Sequence, residues 1–496
     1  MAKTIKALSA LLEGAVIYGA EDKEILAIEH DSRKVKAGTL FAAIVGATVD
    51  GHDFIAQAIK QGATALLVER DIAAPEGVSV LKVQDVKKAL KVIVPYFYDY
   101  PSRNMRMIGI TGTNGKTTTS YITRAILRNA GFKVGLIGTI QIMVEDEVLP
   151  IHNTTPDVVD LQATLALMAQ RGMDYVVMEV SSHALDQERV IGCEFDTAVF
   201  TNLTQDHLDY HKTLENYKQA KAKLFASLHT DGDHKKGKTA VVNADDAAGA
   251  AMLEKADCHH MTYGIEHKAA IAASSIDVTA GGANFTLSGD FGKMELKLKI
   301  TGIFNVYNVM AAVGAALAEK IEPAKIKATL ETFQSVPGRF ELVDEGQDFS
   351  VIVDYAHTPD GLENILHTAR QIAKKRIITV FGCGGDRDRT KRPIMGKIAA
   401  QLSDVVIATS DNPRTEDPEF ILSQVEEGVK EALGDKEHQK ITDRRSAIFR
   451  AIELAKPQDI VVIAGKGHEN YQILKEETIH FDDKEVAREA IRGKVK

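Results

Sequence analysis

The stretch Ile108-Gly109-Ile110-Thr111-Gly112-Thr113-Asn114-Gly115-Lys116-Thr117-Thr118 decides how the chain is read. Met107, Ile108 and Ile110 form a short apolar run that reads as a buried strand. Beyond the glycine-bearing loop, Tyr121, Ile122, Ala125 and Ile126 recur at helical spacing. Strand, glycine loop, Gly-Lys-Thr and helix in that order make a phosphate cradle. Backbone N–H groups and the helix N-terminus face the anion, Lys116 reaches the terminal phosphates, and the Thr117 hydroxyl can ligate magnesium. The common pattern has glycine at position 110, where this chain has isoleucine. Gly109 and Gly112 stand instead, so the cradle is a variant.

The rest of the chain bounds what the cradle serves. At 496 residues the chain exceeds a single core, and about three domains are expected. A net charge of -9 argues against a polynucleotide partner, whose phosphate backbone wants a basic face. A small anionic substrate remains compatible if Lys and Arg gather at its site. Cys193, Cys258 and Cys383 are far apart and offer neither a disulfide framework nor a zinc spacing. No apolar run approaches the roughly 20 residues of a membrane span. The opening MAKTIKALSALLEG lacks the apolar core and cleavage site of a leader, so a cytoplasmic protein is expected.

The pattern is α/β throughout. Residues 1–103 read as a small α/β domain, with strands at Leu40 to Val45 and Ala65 to Val68 and a helix from Phe54 to Gln61. Asp31-Ser32-Arg33 and Asp50-Gly51-His52-Asp53 read, from the residues alone, as capped turns. Tyr96 to Asn104, beside Pro95 and with Pro101 inside it, reads as a linker. Residues 104–336 are the nucleotide domain, a central P-loop-type parallel sheet covered on both faces. Its strands are Val134 to Thr139, Asp174 to Val180, Thr197 to Thr201 and Thr239 to Asn243, with helices Asp157 to Gln170 and Thr213 to Leu228. Residues 270 to 300 predict an antiparallel excursion, and helices Asn305 to Ala318 and Pro323 to Phe333 close the domain. Pro337-Gly338-Arg339 marks the next boundary. Residues 337–496 predict a Rossmann-like domain with strands Ser350 to Asp354, Arg376 to Phe381, Val405 to Thr409 and Ile460 to Ala464.

Several groups could carry chemistry. Glu179 ends an apolar strand downstream of the cradle, where a magnesium-bound carboxylate is expected, and Ser181-Ser182-His183 follows it. The next strand end leads into Thr201-Asn202-Leu203-Thr204-Gln205-Asp206-His207-Leu208-Asp209-Tyr210-His211. That loop is either a capped turn or the source of a second metal ligand, with His207 the best candidate. On the helix from Thr213, residues Leu214, Tyr217, Leu224, Phe225 and Leu228 share a stripe that has Lys221 near its middle. Lys221 is either a snorkelling stem or a buried amine of lowered pKa, able to pair with a carboxylate, act as a base or capture carbon dioxide. In the last domain Gly382 to Arg392, Asp411-Asn412-Pro413-Arg414 and Gly465-Lys466-Gly467-His468-Glu469 leave three strand ends. They read as one crevice, in which Arg387 and Arg414 grip carboxylates and Glu469 receives an ammonium, suited to an amino-acid zwitterion.

With these residues in place the chain resembles the Mur ligases, ATP-dependent amide-forming enzymes of peptidoglycan synthesis. The pieces are Thr-Gly-Thr-Asn-Gly-Lys-Thr, Glu-Val-Ser-Ser-His-Ala, Asn-Leu-Thr-Gln-Asp-His-Leu-Asp-Tyr-His, Asp354-Tyr355-Ala356-His357-Thr358-Pro359 and Gly-Lys-Gly-His-Glu, spread almost end to end. The Asp-Asn-Pro-Arg loop is similar to that of members adding meso-2,6-diaminopimelate, whereas lysine-adding members replace its arginine. Lysine lacks the second carboxylate that Arg414 would grip. The resemblance implies that Thr111, Gly112, Thr113, Asn114, Gly115, Lys116 and Thr117 bind ATP, joined by Asn305, Arg339 and Asp354. It implies magnesium, two ions, on Thr117, Glu179, His207 and a carbamylated Lys221. It places the uridine nucleotide at Ser32 and the muramoyl-dipeptide at Asn153, Thr154, Thr155, Ser181, Gln187 and Arg189. Arg387, Asp411, Asn412, Pro413, Arg414, Gly465 and Glu469 would hold diaminopimelate.

The implied reaction phosphorylates the D-glutamyl γ-carboxylate of UDP-N-acetylmuramoyl-L-alanyl-D-glutamate to an acyl phosphate, which an amine of diaminopimelate then attacks through a tetrahedral intermediate. A monomer is expected. The competing readings are a lysine-adding or folylpolyglutamate synthetase-like ligase, a P-loop ATPase working as a switch or motor, and an inactive muropeptide-binding module.

Overall fold

Alternation of apolar strands with helices along the chain builds three main sheets. The computed structural model describes residues 3–495 apart from 47, 48, 152, 230–233 and 280. The N-terminal sheet has five strands in the order Val16–Tyr18, Ser79–Lys82, Ala63–Val68, Thr39–Ala42, Ala27–Glu29, and only the first is antiparallel to its neighbour.

The central sheet has eleven strands. Arg106–Thr111 lies in its middle, between Tyr175–Glu179 and Thr197–Phe200 and parallel to both. All but one residue of these three strands are buried, as expected of strands covered on both faces. The helix Lys116–Asn129 covers one face with Ile303–Ala318, and Ile122, Ile126, Val306, Val309 and Val313 share that core.

The excursion expected at 270–300 is present, position 280 lying outside the described residues. It does not leave the sheet. Ile271–Thr279 pairs parallel with His259–Gly264, then Gly282–Gly289 and Gly292–Leu298 extend the edge antiparallel. Met294, Leu296 and Leu298 are buried while Glu295 and Lys297 are exposed, the period of two of a half-covered strand.

The C-terminal sheet runs Glu341–Leu342, Ser350–Asp354, Ile460–Ala464, Ile377–Phe381, Val405–Ala408, Glu437–Lys440, parallel except at the first strand. Ile460–Ala464, the last of these strands along the chain, therefore sits between the first two parallel strands of the domain. This reversal of order opens a crevice at the strand ends, where ligands bind in open α/β sheets.

The stretch 96–104 refines the linker reading at its start. Pro95 lies inside the helix Val86–Phe97, whose first turn is capped by Asp85, and Pro101–Asn104 forms a 3-10 turn. Proline in the last turn leaves most of the helical ladder intact, so the helix runs two residues into the expected linker. Polar contacts cross from the first domain to the second: Lys34 Nζ pairs with Asp160 at 3.2 Å, and His30 Nε2 lies 3.3 Å from Asp157. The third domain reaches the cradle through Arg339, whose Nη2 donates to Thr117 Oγ1 at 3.4 Å, and through Asp360, whose carboxyl faces the Asn114 side chain.

Candidate active site

The cradle loop is shaped by two glycines that no other residue could replace in place. Gly112 has φ +151°, and a Cβ there would lie 1.8 Å from Thr201 Oγ1. At Gly115, φ +84°, a Cβ would lie 2.2 Å from Asn308 Oδ1. The neighbouring strand end holds the loop from below. Thr201 Oγ1 donates to the Asn114 carbonyl at 2.6 Å, and the Asn114 N–H donates to Asn202 Oδ1 at 2.9 Å. Lys116 begins the helix and folds back on its own loop, donating to the carbonyls of Gly112 at 2.9 Å and Thr113 at 2.7 Å. Burial lowers its pKa.

Glu179 is fully buried at its strand end and forms no ion pair among the described residues. Its Oε2 accepts from Thr117 Oγ1 at 3.0 Å and from Thr139 Oγ1 at 2.9 Å, and its Oε1 accepts from the Thr139 N–H at 2.9 Å. A dry carboxylate beside the Thr117 hydroxyl is a hard-oxygen pair of the kind magnesium takes.

Lys221 resolves the two readings of its helix. The side chain does not snorkel: it is 1% exposed, and Nζ donates to the Gly112 carbonyl at 2.8 Å. It lies 4.1 Å from the centroid of the Tyr217 ring. Its pKa sits well below the usual lysine value, first because of burial and then because Lys116 is close, with Asp206 opposing. Tyr217, Leu224, Phe225 and Leu228 are buried with it, but Leu214 is exposed at the first helical position.

His207 borders this centre. Its backbone is left-handed, φ +54°, and its ring is edge-on to His183 at 4.8 Å and to Tyr217 at 6.0 Å. Burial lowers its pKa, Asp206 opposes this, and Lys116 and Lys221 add to it. Burial also lowers those of His183 and His211. Thr111 to Thr117, Glu179 and Lys221 are thus brought together, with His207 at their rim.

Next to Glu179 lies a second polar group. Thr154 Oγ1 is 3.1 Å from Thr139 Oγ1, and Thr155 Oγ1 donates to the Glu179 carbonyl at 2.9 Å and accepts from the Ser181 N–H at 3.0 Å. Arg189 donates to the Thr155 carbonyl at 3.0 Å and to Gln187 Oε1 at 2.7 Å. Asn153 is exposed beside them. Ser32 lies in the first domain and donates to Gln57 Oε1 at 3.1 Å.

Two of the residues expected at ATP are held by partners within the protein. The Asn305 amide donates to the Thr301 carbonyl at 2.8 Å and accepts from Asn308 at 3.0 Å, so it is Asn308 that meets Gly115. Asp354 accepts from the N–H groups of Phe340 at 2.7 Å and Ala356 at 2.8 Å, shaping the turn that carries Arg339. Burial raises its pKa. Arg339 itself reaches the cradle and keeps a buried Nε without a hydrogen-bond partner.

The three loops of the last domain leave adjacent strands, as expected. Arg414 Nη1 donates to the Gly385 carbonyl at 2.8 Å, and Asn412 Nδ2 donates to Glu469 Oε2 at 2.9 Å. Pro413 packs its carbonyl against Gly385, where a Cβ would approach to 1.9 Å. A Cβ on Gly465 would come within 2.9 Å of Asp411 Oδ2. Arg387 lies at the exposed rim, its Nη1 on the Asp386 carbonyl at 3.0 Å. Sequence reasoning missed Thr139, Asn308 and Asp360. Thr139 was visible as the end of a predicted strand and Asn308 as the helical neighbour of Asn305, while Asp360 carried no signal.

Family comparisons agree with this geometry. Residues 24–98 match the Mur ligase family catalytic domain, 110–316 the Mur ligase middle domain, and 338–467 the Mur ligase glutamate ligase domain. The chain belongs to the Mur ligase family, and it is an ATP-dependent ligase. It is 50% identical over 488 residues to UDP-N-acetylmuramoyl-L-alanyl-D-glutamate--2,6-diaminopimelate ligase of Bacillus cereus, covering 98% of each chain. A solved structure of a ligase with the same name is 33% identical over the whole of both chains, with a TM-score of 0.69. Folylpolyglutamate synthase of Mycobacterium tuberculosis shares the fold at 20% identity, a TM-score of 0.61 and coverage of 76% of this chain and 92% of that one.

Proposed function

We propose that this ligase joins meso-2,6-diaminopimelate to the D-glutamyl γ-carboxylate of UDP-N-acetylmuramoyl-L-alanyl-D-glutamate, splitting ATP to ADP and phosphate. The observation that carries this reading is one strand edge presenting Arg414 beside Asp411 and Glu469. A guanidinium fork offers five donors, and the Gly385 and Asn412 carbonyls engage only its Nη1. That leaves the fork suited to a carboxylate, while Asp411 and Glu469 suit an ammonium. Diaminopimelate carries both groups at the end remote from its reacting amine, and lysine carries only the ammonium.

The cradle amides of Gly112 to Thr117 and the Lys116 ammonium bind the triphosphate. Thr117, Glu179, His207 and Lys221 as its carbamate would hold magnesium, which offsets the charge of phosphate and carboxylate as they approach. A lysine whose burial favours the neutral amine is chemically ready to take up carbon dioxide. Asn153, Thr154, Thr155, Ser181, Gln187 and Arg189 orient the dipeptide beside Glu179, and Ser32 contacts the uridine nucleotide. Arg339 and Asp360 bring the last domain onto the cradle and exclude water, which would otherwise hydrolyse an acyl phosphate. A UDP-linked substrate and ATP place the reaction in the cytoplasm. One chain supplies every group named, which supports a monomer as the working unit.

The test is ADP release and product mass with diaminopimelate or lysine as acceptor. Diaminopimelate is expected to lengthen the peptide and lysine to do so poorly. Lysine outperforming diaminopimelate, or ATP hydrolysis without a longer peptide, overturns the reading.

A further inference from the structure

We propose that Lys466 is the positioning residue that sets up the ammonium pocket of the acceptor crevice, an inference that rests on the diamino-acid reading above. Lys466 is fully buried in the loop after Ile460–Ala464. Its Nζ lies 3.2 Å from Glu469 Oε2, 3.2 Å from Asn412 Oδ1 and 3.6 Å from Asp411 Oδ1, with the Tyr471 ring centroid at 5.4 Å.

An ammonium only donates, so it dictates how Asn412 points. Asn412 Oδ1 faces Lys466 and also accepts from the Ile473 N–H at 2.9 Å, which turns Nδ2 onto Glu469 Oε2. One cation thereby orders an amide and two carboxylates from separate strand ends.

The charges leave a vacancy of sign. Asp411 and Glu469 bring two negative charges within 4 Å of the single Lys466 ammonium. Arg444 beneath them is already matched by Asp483, at 2.7 and 2.6 Å. Asp411 Oδ1 is buried with no hydrogen-bond partner. One further cation fits there, and an amine gripped by two carboxylates stays protonated and cannot attack. The pocket therefore holds the non-reacting amine, which diaminopimelate and lysine share. Without Lys466 the two carboxylates repel, Asn412 loses its orienting donor, and the arriving ammonium meets an unformed site.

The experiment compares Lys466→Met and Lys466→Gln with the full-length wild type in steady-state ligation and thermal melting. In both variants KM for diaminopimelate is expected to rise at least about tenfold. The kcat and the KM values for ATP and muropeptide should stay within about threefold. The ratio of kcat/KM for diaminopimelate over lysine should not move, because both acceptors lose the same contact, whereas Arg414→Ala should collapse that ratio. An unchanged KM for diaminopimelate overturns the role of Lys466, as does a loss of kcat in step with a lowered melt in both variants. Lys466→Gln keeps a donor for Asn412 and decides the matter if Lys466→Met fails to fold. A wild type that ligates neither acceptor overturns the proposed function instead.

Discussion

Lys221→Met is expected to abolish ligation while leaving the fold about as stable as before. The substitution removes one hydrogen bond of a buried amine, to the Gly112 carbonyl at 2.8 Å, for which about 0.5–1.5 kcal/mol is typical of a neutral donor. It also removes the contact with the Tyr217 ring at 4.1 Å. Against these stands the burial of an amine with no ion-pair partner among the described residues, pushed towards its neutral form, whose unmet polarity costs about 1–3 kcal/mol. Methionine keeps the length and apolar body of the stem, and the Gly112 carbonyl keeps Lys116 at 2.9 Å. The terms nearly cancel, so the net change stays within about 2 kcal/mol and the apparent Tm within roughly 8 °C. Activity should fall at least about a hundredfold, as when a transition-state contact is removed. Thermal melting of nucleotide-free protein, paired with ADP release in the full reaction, checks both halves. A variant that melts far lower refutes the account of Lys221 as a destabilising functional amine. One that retains activity refutes its place in the site.

Two further outcomes follow from other parts of the molecule. Burial lowers the His468 pKa to about 4, with Arg339 and His357 adding to it. Between that value and the unfolded value of about 6.5 the unfolded chain binds more protons. Stability is therefore full above the upper value and is lost as pH falls towards the lower, and His183, His207 and His211 shift in the same direction. Melts between pH 7 and pH 4 should show this slope, and His468→Gln should make it shallower; an unchanged slope removes His468 from the account. Gly112→Ala would drive a Cβ to 1.8 Å from Thr201 Oγ1, so KM for ATP should rise about tenfold or more. Adding Thr201→Ala should recover part of the loss, and a single variant with normal ATP binding would contradict the loop geometry.

The legible parts of this molecule are those where one local signal suffices. Fully covered strands such as Tyr175–Glu179 and Ile460–Ala464 announce themselves as apolar runs, and Thr239–Asn243 and Ser350–Asp354 were bounded correctly from such runs. Lys221 stood out because a charge in an apolar stripe is costly. What escaped depends on partners distant in sequence. The outer strands Ile142–Val144, Glu147–Leu149 and Glu437–Lys440 are short or polar, and only the ladder beside them defines them as strands. Asp360 gains meaning only when its helix is carried to Asn114, 246 positions away by their numbers. Pro95 misled for the opposite reason: a strong local breaker is tolerated where the helix was about to end.

Lys116 holds one more consequence. Its half-buried ammonium already donates to two carbonyls of its own loop. A ligand entering the cradle therefore exchanges partners with an existing dipole pair. Weakly charged visitors have little to offer in that exchange, and only a densely anionic terminus outcompetes both carbonyls. The loop thus acts as a threshold detector for phosphate charge, set by its own backbone.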